Sequence, residues 1–309
     1  YMADDYSGLY YASVCAGLGH GIVEAVINPV CAAVYPKNKT TRLTILHAAW
    51  PAGLVGGTLL IMGADWAGFT DWRLHGLFIL IPAVAYILMY RPCRLPVDER
   101  VRAGVTFKAM LQQIGFLSAT LASMLLVYEL GNALGFRTEQ DWLRNSVIIG
   151  VVIGAAFGAY VKSLGRPLFF LMCLLMIPVA TAELSTDSWI QKLVGPSVKD
   201  LGINASFAIV FSAGVMLVLR VFAGGIVKHI SPPALLSISG LLSAIGLYWL
   251  SEAEVGQAVF IAFLIYAIGQ TYYWPCILGF TAERYPEGGA LTLNTVSAMG
   301  LLSLGVIGN

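Results

Sequence analysis

Charge is the scarcest thing in this sequence. Only 11% of its 309 residues are Asp, Glu, Lys or Arg, and 58% are hydrophobic; soluble domains carry roughly 25% charged residues. That deficit excludes a single soluble core and makes the chain an integral membrane protein. The formal net charge of +1 gives no argument for nucleic acid, and none is expected as a partner. Cysteine is sparse too. Cys15, Cys31, Cys93, Cys173 and Cys276 form no C-x-x-C pair, so they read as small apolar residues and not as a disulfide or zinc set. The four histidines are scattered, with no H-E-x-x-H, and no serine sits in a nucleophile elbow. A membrane-embedded enzyme is therefore not expected, nor a metal or other cofactor. No signal peptide is visible.

What the sequence does have is long apolar runs. Ten reach the length of a span, roughly 17–25 residues: 9–35, 44–63, 72–90, 108–134, 145–161, 167–185, 203–223, 232–250, 256–281 and 289–308. Lipid admits helices or closed barrels, and these runs are too long and uniform for barrel strands. The fold class is all-α and polytopic. Alternate loops collect 13 of the 18 basic residues, from Lys37, Lys39 and Arg42 through Arg91–Lys108, Lys162, Arg166, Arg220 and Lys228 to Arg284; the other set holds Arg73, Arg137, Arg144, Lys192 and Lys199. The first set is cytoplasmic by the positive-inside rule. Asp4, Asp5, Asp65, Asp71, Glu252 and Glu254 then face out, and the first span runs inward. A multi-pass protein of the cell (inner or plasma) membrane is expected. The charged stretch 91–108 reads as a cytoplasmic linker, and 186–202 as a loop over the outer face.

Polar residues inside spans are the functional candidates, because ionisable groups in a bilayer are costly unless they face a cavity or a partner. The stretch Gly17–Gly57 is the richest. His20, Glu24 and Asn28 follow at four-residue spacing on one helix face, and Pro29 removes a backbone hydrogen bond beside them. His47 and Trp50-Pro51 lie one turn apart in the next span, with Trp50 able to stack on a sugar ring. Gly53, Gly56 and Gly57 read as close-packing positions. Glu183 and Asp187 are one turn apart in the sixth span. Tyr266, Gln270, Tyr273 and Trp274 share a face of the ninth, the aromatic-plus-amide mix that a sugar site uses. For each of these the competing reading is packing: a satisfied histidine, a capped kink, an aromatic stripe in the core. Arg220 and Lys228 at the inner end of the seventh span, with Glu283 and Arg284 in the next inner loop, read as an inner gate that latches helix ends. A weak internal repeat pairs the first span (Asn28-Pro29, Tyr35-Pro36, then L-T-I-L) with the ninth (Trp274-Pro275, Tyr285-Pro286, then L-T-L-N); parallel repeats are common in transporters.

These motifs resemble the major facilitator superfamily, and within it the fucose-permease group of sugar–proton symporters. The likeness rests on G-x-G-x-x-x-E-A-x-x-N-P in the first span, on L-R-V-F-A-G-G-I-V-K-H-I-S-P at 219–232, and on Y-W-P-C-I-L-G-F-T-A-E-R-Y-P-E-G-G-A at 273–290. The resemblance implies that 1–90 holds the family's helices four to six, that 91–166 is a linker with two extra helices, and that 167–309 holds helices seven to eleven. It further implies a fragment, with ten of fourteen helices present, lacking the first three and the C-terminal end. It implies a secondary active transporter, moving a small polar solute such as a sugar by alternating access, coupled to protons through Glu24 and working as a monomer in the lipid bilayer. A transporter-like solute sensor and an exporter are the competing functions.

Overall fold

The computed structural model describes residues 5–136, 141–200, 202, 204–253 and 257–307, with the side chains of 191, 198, 200 and 257 excepted. Asp4, Arg137 and Glu254, three of the loop charges, lie outside the described residues, as does residue 308 of the tenth expected span.

The regular elements among these residues are all helices, joined by short connections. Its first three spans are α1 (Tyr6–Val34), a broken pair α2 (Lys39–Leu46) and α3 (Ala49–Trp66), and a further broken pair α4 (Trp72–Gly76) and α5 (Leu80–Tyr90). A short α6 (Glu99–Arg102) marks the linker, followed by a long hairpin of α7 (Phe107–Ala133) and α8 (Trp142–Val161). The remainder is α9 (Pro167–Leu193), α10 (Gly195–Asp200), α11 (Phe207–Val221), α12 (Ala223–Val227), α13 (Pro232–Glu252), α14 (Gln257–Gln270), α15 (Tyr273–Arg284) and α16 (Gly289–Ile307). Start signals are local. Asp5 caps α1 by accepting from the Gly8 N–H at 2.7 Å, Thr106 caps α7 from the Ala109 N–H, and proline opens α9 and α13, where its missing N–H costs nothing.

Nine of these segments are long and apolar enough to cross a membrane among the described residues. The seventh expected span is the exception: α11 has 15 residues, about 22 Å at 1.5 Å per residue, before the chain turns at Phe222 into α12. The described part of the expected loop, 186–200, is helical. α9 carries straight through to Leu193 and α10 follows, burying Ile190 and Val194.

Packing is tightest where glycine lets backbones approach. Gly150, Gly154 and Gly158 of α8 seat Met124, Thr120 and Phe116 of α7 at distances that leave no room for a Cβ. Gly53, Gly56 and Gly57 do not behave this way: a Cβ at any of them meets nothing within 4 Å, because α3 packs on α11 through other residues. α7 is interrupted at Gly115, at φ 57° and ψ −165°. There the Phe116 and Leu117 N–H groups leave the helix and donate to Ser163 and Leu164 carbonyls. A Cβ at Gly115 would lie 1.9 Å from Gly165 N, so both the backbone sign and the approach require glycine. This seam ties the hairpin to the start of α9, and Gln113 extends it by bonding both Arg166 and Glu287. The largest core cluster joins Leu43, Phe169, Met176, Ile277, Val296 and Met299. Cys173 and Cys276 are buried, unpaired parts of it and its neighbour.

Candidate functional site

Where α1, the α2–α3 break, α9, α11, α15 and α16 converge there is a cavity of about 600 Å³. His20, Glu24, His47, Trp50, Glu183, Asp187, Arg220 and Trp274 all line it. The four-residue spacing on α1 delivers His20 and Glu24 to one wall. The His20 and Trp50 rings stack, with centroids 5.8 Å apart and planes within 17°.

Behind that wall lies a hydrogen-bonded relay. Asn28 is fully buried and donates through Nδ2 to Glu24 Oε1 at 2.7 Å. That contact orients the amide, so Oδ1 faces His47 Nε2 at 2.9 Å and the imidazole must donate there. Ser297 of α16 adds a second donor to Glu24 Oε1 at 3.3 Å. Sequence reasoning missed Ser297, since a serine in an apolar helix carries no local signal.

The opposite wall is an ion pair. Arg220 Nη2 donates to Glu183 Oε1 at 2.7 Å, with both side chains almost wholly buried. Arg220 Nη1 and Nε donate to the carbonyls of His47 and Thr271. Arg220 therefore belongs to the cavity and not to the inner loop where the sequence placed it: α11 is short, and its final turn ends inside the bundle. Gln270 stands behind Asp187 and Ser212, donating at 3.5 and 3.3 Å. Tyr273 is buried but does not line the cavity. Its face is split from that of Tyr266 because the ninth span breaks at Thr271–Tyr272; Tyr266 instead bonds Ala182 O and Thr186.

Four buried polar atoms in this region have no hydrogen-bond partner: Glu183 Oε2, Asp187 Oδ2, Gln270 Oε1 and Trp274 Nε1. Three accept and one donates. Buried polar groups normally find partners; Glu183, Asp187 and Trp274 line the cavity, while Gln270 stands behind its wall.

A model of the Major Facilitator Superfamily matches residues 2–308. The chain belongs to that superfamily. No curated protein matches the sequence. Membership makes this major facilitator a multi-pass secondary transporter of small-molecule solutes.

The end that carries most of the basic residues is held together by a set of polar contacts. Glu283 at the end of α15 accepts from Thr40 N at 3.0 Å and Thr40 Oγ1 at 2.7 Å. Lys39 is buried, pairs with Glu99 and donates to Ala282 O. Asp98 accepts from Ala290 N. Glu283 thus meets α2 and not Arg220, while Lys228 and Arg284 are exposed. Lys39, Thr40 and Glu99 were invisible as a latch in the sequence, where they read as ordinary loop residues.

Proposed function

We propose that this major facilitator is a proton-coupled transporter of a small polar solute, of the sugar class, working by alternating access. The observation that carries the reading is the wall of the central cavity, where the carboxylates of Glu24, Glu183 and Asp187 meet Trp50 and Trp274 and two carboxylate oxygens, Glu183 Oε2 and Asp187 Oδ2, lack partners. Sugar hydroxyls supply donors to such acceptors, and the apolar face of a sugar ring lies well on an indole plane. Glu24 is the coupling group: it is part-buried, it lines the cavity, and it holds a hydrogen-bonded position between α1 and α16. Its proton alters the relay through Asn28 and His47, and a proton or solute moves the equilibrium only by its differential affinity for the two conformers. In this reading residues 1–90 and 167–309 are the two moving halves, and 91–166 links them through the α7–α8 hairpin.

The test is transport in proteoliposomes with an external pH electrode. Monosaccharides, nucleosides and small acids are added one at a time to wild type and Glu24→Gln. External alkalinisation with monosaccharides alone, lost in Glu24→Gln, is the expected result. Labelled solute entering with no pH change removes proton coupling. Solute binding with no accumulation makes the protein a sensor, and alkalinisation by a different solute class replaces the sugar assignment.

A further inference from the structure

Two of the three bonds of Arg220 have a common origin in the sequence. In a helix the carbonyl of residue i accepts from the N–H of residue i+4, and proline has no N–H to give. His47 stands four residues before Pro51, and Thr271 four before Pro275. Both carbonyls are orphaned by a proline. No backbone N–H outside the helices reaches either among the described residues. One guanidinium fills both, at 2.9 Å for His47 O and 2.8 Å for Thr271 O. The likeness extends further. Each proline follows a tryptophan, Trp50 or Trp274, that lines the central cavity. Each stands just past a helix break, at His47–Ala48 and at Thr271–Tyr272. Pro29, by contrast, leaves α1 continuous.

We propose that Arg220 is a positioning residue, the pin of a double hinge that holds the two proline breaks together and against Glu183. The two broken helices then bend as one. A planar fork of five N–H donors can serve three acceptors in different directions at once, which a lysine ammonium on a flexible stem does not reproduce. Glu183 carries the compensating charge and also lines the cavity, so solute contact with its carboxylate bears directly on the pin. The hinge takes its purpose from the alternating-access reading, but its test needs no solute.

The test uses the full chain with Cys276 as the sole thiol, since Cys276 is 1% exposed and follows Pro275 directly. N-ethylmaleimide labelling is measured for wild type, for Arg220→Lys, and for Arg220→Lys combined with Pro51→Ala and Pro275→Ala. The alanines restore the N–H groups that His47 O and Thr271 O lack. Arg220→Lys should label about tenfold faster, the scale of one charge-assisted hydrogen bond lost. The triple variant should return to the wild-type rate. Equal labelling of Arg220→Lys and the triple variant, or unchanged shielding in Arg220→Lys, overturns the proposal and leaves Arg220 as a counter-ion to Glu183 alone. If Arg220→Lys yields no monodisperse protein, its recovery in the triple variant supports the double hinge and its continued loss rejects it.

Discussion

At the scale of single residues, the site is a matter of satisfied and unsatisfied polar atoms. Asn28 shows how much one side chain can carry. It is fully buried and uses both ends of its amide, donating to Glu24 and accepting from His47. Asn28→Ala should lower stability by about 1–3 kcal/mol, the cost of stranding buried partners, read as thermal unfolding of the detergent-solubilised protein. Adding His47→Ala should cost less than the sum of the two single changes, because the pair shares one network; simple additivity would mean that the two residues are not coupled. The four-residue spacing of His20, Glu24 and Asn28 was enough to place them on one face, since helix geometry is local. Which of them meets Trp50, His47 or Ser297 was not readable, because those partners come from other helices.

At the scale of elements, glycine separates into two kinds that composition alone does not distinguish. Gly115 turns the chain at positive φ and lets residues 163–165 approach. Gly56 faces open space. Gly115→Ala should therefore destabilise by more than about 1 kcal/mol, as alanine does where φ is positive. Gly56→Ala should be neutral or slightly stabilising, because the helix gains propensity without a clash. Thermal unfolding of both variants side by side checks the contrast, and equal shifts would contradict it. The element-level errors of the sequence reading have one cause. The last turns of α9, and α10 after it, carry polar residues, so a hydropathy window ended the sixth span at 185 although the helix continues to Leu193. The reverse holds for 203–223, where apolar composition ran past the end of the short α11.

At the scale of the whole molecule, the proposed inner seal is a set of contacts at the end rich in basic residues. The seal is distributed over Lys39–Glu99, Thr40–Glu283 and Asp98–Ala290, and it joins α2, the linker and the α15–α16 corner. Opening that end requires all three to part. Lys39→Ala with Glu283→Gln should shift the population toward an inward-open conformer. Cys31, half-buried near the inner end of α1, should then label about tenfold faster with a maleimide, as expected when ~1.4 kcal/mol of closure is lost. Unchanged labelling would show that the seal is maintained by apolar packing around Tyr285 and Leu293 instead.

The sequence by itself determined that this protein lives in a membrane, where most of its spans fall, which end is rich in basic residues, and which carbonyls stand four residues before a proline. Those properties follow from transfer free energies and backbone chemistry, which depend on neighbours along the chain. Only the tertiary structure decided what Arg220 does. Its partners lie 37, 51 and 173 residues away, and a hydrogen bond forms only where helix packing brings donor and acceptor to about 3 Å. A basic residue at the end of an apolar run looks the same in sequence whether it faces water or holds two broken helices together.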